Sequence, residues 1–181
     1  MDKTTDSRRV RMTKKILKDA LLELMEDKHI SRISIKEICD LADVNRSTFY
    51  AHYGNQFDLL EEIERDIVNE TPRINLYSDA PVQGELRKFF EYLEDNKRVC
   101  RILFKSSSPQ QLETAILDKI FGKTEEKPQW ITGLDLRNPV HIKMLMSAFG
   151  GLAMAEKWIA GEFDCSADEL ADAISGYIQH A

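Results

Sequence analysis

The sequence lacks the features of membrane and secreted proteins. Its apolar runs are short and interrupted by charged residues, so none approaches the roughly 20 apolar residues that a membrane span needs. The first fifteen residues, MDKTTDSRRVRMTKK, contain no apolar stretch of the kind found in secretion signals. These absences predict a soluble, cytoplasmic protein that has no membrane partner.

Residue patterns of catalytic and metal sites are also scarce. Cys39, Cys100 and Cys165 lie far apart and form no CxxC pair, which argues against a disulfide framework and a zinc knuckle. The chain has no glycine-rich phosphate loop and no nucleophile-elbow glycines. His52 has no second ligand at close metal-binding spacing. We therefore predict no catalytic site, no metal site and no cofactor.

The charge distribution is uneven along the chain. A net charge of -6 argues against nucleic acid as a partner, because phosphate neutralisation needs a basic surface. The first eighteen residues, however, contain only two acidic side chains and the basic residues Lys3, Arg8, Arg9, Arg11, Lys14, Lys15 and Lys18. This basic end indicates either a nucleic-acid contact or a solvated tail.

Hydrophobic spacing predicts an all-α protein of about nine helices. Four fall in the N-terminal part, at about 13–27, 35–42, 45–53 and 57–70. Thr13 is the expected N-cap of the first helix, and Ser34 with Glu37 has the pattern of a capping box at the second. Gly54 and Asn55 suit a positive-φ exit from the third helix.

The remaining helices are expected at about 84–94, 97–105, 110–121 and 139–161, followed by a final helix that a Ser166–Glu169 capping box begins. Residues 71–83 and 122–137 have the composition of connectors. We predict two domains, a helix-turn-helix domain at 1–56 with its basic N-terminal arm and a helical effector-binding and dimerisation domain at 57–181.

The third predicted helix carries residues suited to DNA. Three short helices with a tight turn between the second and third have the layout of a helix-turn-helix. The segment NRSTFYAHY offers Arg, Ser, Thr, Tyr and His side chains, which donate hydrogen bonds to phosphates or base edges. Phe49 is expected to be a core residue.

The run SIKEICDLADVNRSTFYAHYGNQFDLL, residues 34–60, resembles the helix-turn-helix of the TetR/AcrR family, and the match extends back to about Thr13. The family hallmark is a Val after the turn, a hydroxyl residue, an aliphatic or aromatic residue, and a Tyr-x-His-aromatic unit. The positions that carry it here are Val44, Thr48, Phe49, Tyr50, His52 and Tyr53, followed by Asp58-Leu59-Leu60.

The resemblance implies roles for individual residues. Lys36, Arg46 and Ser47 would read bases. Thr48, Tyr50 and His52 would contact phosphates, and the basic arm, including Lys14 and Lys15, would add further contacts to DNA.

Two positions depart from the family pattern. Asp43 stands where the family commonly has Gly, and Asp tolerates the left-handed conformation better than most residues. Gln56 replaces a Lys at the head of the fourth helix. A neutral amide still donates to phosphate, but we expect weaker non-specific affinity and a salt slope smaller by about one unit.

The C-terminal block suggests two further roles. An apolar effector pocket between helices, which the resemblance implies, would be lined by Phe89, Phe90, Leu93, Phe104, Phe121, Trp130, Met144 and Phe149, although plain core is the favoured interpretation of each residue taken alone. The small residues at 147–155 and the apolar spacing of the last helix suggest a two-fold four-helix dimer interface that includes Gly151, Ala155, Leu170, Ile174 and Tyr177.

Taken with the resemblance, these features predict a DNA-binding transcriptional regulator, expected to be a ligand-responsive repressor. It would bind a palindromic double-stranded DNA operator as a homodimer and respond to an unidentified small-molecule effector. The alternative is a protein of the same fold that binds a ligand or a partner protein without operator binding. Gln56, Asp43 and the acidic net charge motivate this alternative.

Overall fold

A computed structural model describes residues 3–74, 82–106, 109–121, 135 and 137–180. Within these ranges it contains α-helices, one short 3-10 turn at Ile30–Arg32 and no strand, which confirms the all-α prediction. The nine helices described are α1 Lys3–Asp27, α2 Ile35–Ala42, α3 Arg46–Tyr50, α4 Gln56–Glu70, α5 Gln83–Asp95, α6 Lys97–Ser106, α7 Pro109–Phe121, α8 Pro139–Ala160 and α9 Ala167–His180. They form two compact units, one up to Asp66 and one from Ile67 onwards.

The first unit is built around α1, α2 and α3. Helix α1 packs against α2, and α2 packs against α3. The side chains of Leu17, Leu21, Ile38, Phe49 and Leu59 are completely buried, which gives these short elements a shared apolar core. Because α3 has only 5 residues, it depends on this packing rather than on its own helix-forming tendency.

The structure corrects the predicted start of α1. The helix begins at Lys3, ten residues before the expected N-cap, and continues to Asp27. Thr13 lies inside it, where the hydroxyl Oγ1 donates to the carbonyl oxygen of Arg9 at 3.1 Å. A threonine can cap a helix or bond back to the preceding turn, and here it does the latter. The basic residues of the predicted arm are therefore helical.

The turn between α2 and α3 has the geometry predicted for it. Ser34 and Glu37 form the capping box at the start of α2. Asp43 ends the helix in the left-handed conformation, with φ 52° and ψ 47°, and its backbone N–H bonds to Cys39. An Asp there adopts a conformation that most non-glycine residues avoid, so the departure from Gly leaves the turn intact.

The second unit has a core of aromatic and aliphatic side chains. Helix α9 packs mainly against α5, and α8 packs against α6 and α9. Phe89, Phe90 and Trp158 form two edge-to-face pairs with centroid distances of 5.2 and 5.8 Å. Ser166 and Glu169 cap α9 reciprocally, as predicted. In the described segments, no helix combines the length and apolar character that crossing a membrane requires.

Candidate nucleic-acid interface

One buried aromatic side chain anchors helix α3 in the core of the first unit. Phe49 is completely buried, as predicted, and its ring packs against Tyr50 and Tyr53 at centroid distances of 5.8 and 5.7 Å. The carbonyl oxygen of Asn45 accepts the first backbone bonds of the helix, from Thr48 and Phe49.

The other side chains of the α3 segment are polar and at least partly accessible. Arg46, Ser47 and Tyr50 are exposed, whereas Thr48 and His52 are half-buried. The structure thus presents the two predicted base readers on α3 together, and it places the predicted phosphate contacts along the same short segment. Side chains of this kind can donate hydrogen bonds to base edges or phosphates.

Asn45 is a candidate that the sequence reasoning missed. It occupies the N-cap position of α3 and is exposed, and its side chain makes no capping hydrogen bond. An asparagine amide in the major groove can bond the N6 and N7 atoms of adenine as a pair. The available signal was its position directly before Arg46, at the end of the helix that enters the groove in proteins of this layout.

Lys36, the predicted base reader on α2, is exposed near the start of its helix. Its ammonium nitrogen Nζ lies 3.2 Å from Oδ2 of Asp40, one turn along the helix, and both side chains are well exposed. An exposed pair of this kind contributes less than about 1 kcal/mol. It therefore opposes transfer of Lys36 to a nucleic-acid partner only weakly.

The α3–α4 connection is fixed by another reciprocal cap. Oδ1 of Asn55 accepts from the backbone of Phe57 and Asp58, and Oδ2 of Asp58 accepts from the backbone of Gly54 at 2.9 Å. A Cβ atom on Gly54 would lie 2.8 Å from that same Oδ2. The expected positive-φ exit is wrong, since neither Gly54 nor Asn55 has a positive φ. Close approach to Asp58 explains the glycine instead.

Gln56, which follows this cap, is the first residue of α4 and is half-buried. The structure thus places it beside the α3 exit, on the segment where the family resemblance puts a Lys. The amide carries no charge, so a phosphate contact from this position lacks the charge-assisted component that a lysine supplies.

A partly buried ion network joins α1 and α4. Nζ of Lys14 and Nζ of Lys18 lie 2.8 and 2.7 Å from the carboxylate of Glu62, and Lys18 also contacts Asp66 at 2.5 Å. Burial disfavours the charged form of Glu62, but the hydrogen bonds from Lys14 and Lys18 prevail and lower its pKa to about 2. The charged network is therefore complete at neutral pH.

The same network lies next to Tyr53, a buried residue that follows α3. The ammonium of Lys14 lies 5.4 Å from the ring centroid of Tyr53, which is 5% exposed. Burial raises the pKa of the Tyr53 phenol, and Glu62 adds to that rise. Lys14, one of the predicted DNA contacts, is thus paired inside the unit, whereas the neighbouring Lys15 is exposed.

The extended α1 gives the basic end a defined geometry. Arg8, Arg11 and Lys15 are exposed and follow i, i+3, i+7 spacing, which places them on one face of the helix. A row of cations on a rigid helix can follow a phosphate backbone without the ordering cost of a flexible tail.

The predicted effector-pocket residues have different environments. Phe89, Phe90, Leu93 and Phe104 are buried, and the first two line a cavity of the second unit. Phe149 is 48% exposed and lies on the surface of α8. Trp130 lies outside the described residues, and the side chains of Phe121 and Met144 lie outside the described part of their helices.

The predicted dimer residues also differ in their exposure. Ala155, Leu170 and Ile174 are buried within the protomer, Gly151 is half-buried, and Tyr177 is 48% exposed. A side chain that its own protomer already covers offers no surface to a second copy. Of the five, Tyr177 has the most surface available.

Within the described residues, no group of three or more His, Cys, Asp and Glu side chains is placed to hold a metal ion.

The profile of the bacterial regulatory proteins of the tetR family matches residues 17–63, which include α2, α3 and the start of α4. Residues 17–63 are thus similar to the tetR family of bacterial regulatory proteins.

Two relatives that are named as HTH-type transcriptional regulators match parts of the chain. The uncharacterized HTH-type transcriptional regulator YxbF of Bacillus subtilis is 37% identical over 51 residues, which are 28% of this chain and 13% of that protein. The HTH-type dhaKLM operon transcriptional activator DhaS of Lactococcus lactis is 34% identical over 87 residues, or 48% of this chain. The matched part of DhaS is 46% of its length, so the chain spans less than half of either relative.

Solved structures show the TetR fold over nearly the whole chain. A TetR transcriptional regulator from Streptococcus agalactiae aligns with a TM-score of 0.68 at 18% identity, covering 98% of this chain and 99% of that one. The dihydroxyacetone kinase operon activator DhaS aligns with a TM-score of 0.57 at 21% identity, covering 92% and 94%. At these identities the likeness establishes the fold.

Proposed function

We propose that this chain is a transcriptional regulator of the TetR family that binds operator DNA through α3. The observation that carries the proposal is the exposure of Arg46 and Ser47 at the start of α3, a helix that the completely buried Phe49 anchors in the core. An arginine at this position can bond both O6 and N7 of a guanine, which is the commonest specific contact in the major groove.

The surrounding residues supply the contacts that position the helix on DNA. Tyr50 is exposed beside the base readers, and Thr48 and His52 are half-buried with donor groups suited to phosphates. Lys36 is exposed on α2, and Lys15 is exposed on the basic face of α1. Asn45 adds an amide next to Arg46. Together they give this segment both contacts that carry sequence information and contacts that fix orientation.

The proposed regulator acts as a homodimer through the exposed apolar face of α8. Ile142, Met146 and Phe149 follow i, i+4, i+7 spacing and are 40%, 58% and 48% exposed. Gly150 and Ala153 continue the same stripe, and Tyr177 offers apolar surface on α9. A contiguous apolar helix face flanked by small residues suits a two-fold helical interface.

The proposal includes response to a small molecule, and the direction of regulation is tested separately. DhaS, one of the relatives, is named an activator. A promoter–reporter fusion with and without the protein distinguishes repression, the outcome expected from the sequence, from activation. Neither outcome alters the DNA-binding proposal.

A second candidate function is co-regulation through a partner protein without operator binding. It is favoured by the pairing of Lys14 with Glu62, which removes a predicted cation from the DNA surface, and by the neutral Gln56. Both observations reduce electrostatic attraction to phosphates. They leave Arg46 and Ser47 exposed, so we rank this function second.

A gel-shift experiment with DNA from upstream of the protein's own gene separates the two candidates. At low salt, the first predicts a retarded complex that unrelated DNA of the same length competes away poorly. Absence of retardation, with and without small apolar molecules, would favour the second candidate. Arg46→Ala serves as the matched variant because its side chain is exposed and has no role in the core.

A further inference from the structure

The ammonium group of Lys14 lies between two partners inside the first unit. Its nitrogen Nζ is 2.8 Å from Oε2 of Glu62 and 5.4 Å from the ring centroid of Tyr53. The Glu62 side chain is 14% exposed and Tyr53 is 5% exposed, so water is partly excluded from both contacts. Ion pairs and cation–π contacts are stronger under that condition. Lys14 on α1 thus connects Glu62 on α4 with Tyr53, which follows α3.

Tyr53 is joined to the rest of the α3 segment, residues 45–53, through its ring and its backbone. The ring packs against those of Phe49 and His52, at centroid distances of 5.7 and 6.3 Å. The backbone N–H groups of Tyr53 and His52 both donate to the carbonyl oxygen of Phe49, at 3.0 and 2.9 Å. Because closely packed groups transmit displacements to one another, a shift of the Tyr53 ring would also move His52.

The contacts of Lys14 oppose its transfer to a DNA phosphate. Lys36 is different, since it and its partner Asp40 are 65% and 63% exposed and that pair is weak. Lys14 is 32% exposed, and its departure would take one of the cationic partners from the partly buried carboxylate of Glu62. Removing a partner from a shielded charge costs more than separating an exposed pair.

From this arrangement we propose that Lys14 is a positioning residue for DNA binding: it holds the Tyr53 ring, thereby orients His52, and makes no contact with DNA itself. The inference rests on the proposed function, in which the α3 segment binds an operator and His52 contacts a phosphate. It departs from the role that the family resemblance implies for Lys14, and it leaves that role with the exposed Lys15.

The test compares two substitutions at neighbouring positions. Lys14→Met and Lys15→Met each remove one positive charge, so they change the overall attraction to DNA alike. Fluorescence anisotropy with DNA from upstream of the protein's own gene gives the affinity of the full-length protein over a range of salt concentrations. Loss of one phosphate contact decreases the slope of log affinity against log salt concentration by about one, which we expect for Lys15→Met. Lys14→Met should weaken binding about threefold to tenfold at every salt concentration and leave the slope unchanged.

Lys14→Arg is the conservative variant. A guanidinium group can pair with a carboxylate and stack on an aromatic ring, so binding by this variant should stay within about twofold of the wild type. Thermal unfolding checks that all three variants are folded at the temperature of the titrations.

A second readout needs no DNA. The backbone amide signals of His52 and Tyr53 are followed by NMR in the full-length protein. Lys14→Met should shift both signals, because the Tyr53 ring loses the cation that holds it. Lys15→Met should leave both in place, since the Lys15 side chain is exposed on α1.

The proposal is overturned if Lys14→Met decreases the salt slope as Lys15→Met does, if Lys14→Arg binds as weakly as Lys14→Met, or if the His52 and Tyr53 signals do not respond to Lys14→Met. The two readouts also distinguish this proposal from the proposed function. Absence of DNA binding by the wild type would contradict the proposed function, whereas the amide signals decide without DNA whether Lys14 holds the α3 segment.

Discussion

The two units of the chain present opposite kinds of surface on their helices. In the first unit, the 5-residue α3 buries Phe49 and exposes Arg46 and Ser47. In the second, the 22-residue α8 exposes Met146 and Phe149. A polar face with arginine suits a hydrated, charged partner such as DNA, whereas an exposed apolar face suits another protein surface. We therefore propose that one chain separates recognition of nucleic acid from self-association.

The largest effect is expected when the apolar face receives a charge. Met146→Glu should weaken dimerisation about a hundredfold or more, because an unpaired carboxylate would be buried in the interface. The dissociation constant is measured by analytical ultracentrifugation. Met12→Glu is the matched control, since Met12 is 59% exposed on the first unit and Met146 is 58% exposed on the second. Equal dimerisation of the two variants would contradict the assigned interface.

A smaller effect, on the order of 1–3 kcal/mol in the free energy of unfolding at pH 7, is expected for Glu62→Gln. The change leaves the partly buried ammonium groups of Lys14 and Lys18 without their shared carboxylate. Urea unfolding measures the loss. Glu61→Gln, an exposed neighbour on α4, should change stability by less than about 0.5 kcal/mol.

The Glu62 carboxylate also predicts a pH dependence. Its pKa in the folded protein is about 2, below the ordinary value of 4.5, so its stabilisation is complete above pH 4.5. Stability should fall as the pH decreases from about 4.5 towards 2, and this component should be absent from Glu62→Gln. Parallel acid-unfolding curves for the variant and the wild type would contradict the network.

Base reading and phosphate binding should respond differently to mutation of α3. Arg46→Ala should reduce discrimination between operator and unrelated DNA by about 1–3 kcal/mol, whereas Tyr50→Phe should weaken binding to all sequences about equally. Fluorescence anisotropy with both DNAs gives the two affinities. The same pattern in both variants would mean that these two roles are wrongly assigned.

The smallest effect is expected at the head of α4. Gln56→Lys should increase the steepness of the dependence of log affinity on log salt concentration by about one, since one more cation would meet a phosphate. Gln56→Met, which adds no charge, should leave the slope unchanged. A slope that is the same for Lys and Met would place Gln56 away from the DNA backbone.

Local chemistry made much of the first unit predictable. The Ser34–Glu37 box, the left-handed Asp43 and the buried Phe49 each follow from a residue and its immediate neighbours. The helical start of α1 did not, because Thr13 can cap a helix or bond backwards with equal ease. The pairing of Lys14 with Glu62 joins residues 48 positions apart, which no local pattern encodes.

In the second unit, it was harder to predict which face of each helix is buried and which is exposed. Helical spacing identified Leu170 and Ile174 as one apolar stripe of α9, but spacing does not reveal what that stripe contacts. In the structure both are buried within the protomer. The exposed stripe on α8 becomes recognisable only once the helices that cover its other side are known.

Selection of binding sites from randomised DNA tests the central claim, which is that two copies of α3 read an operator. We expect enrichment of an inverted repeat whose half-sites are separated by about one helical turn, roughly 10 base pairs, or a multiple of it. We also expect that Arg46→Ala fails to enrich that repeat. No enrichment by the wild-type protein, or the same repeat enriched by Arg46→Ala, would contradict this claim.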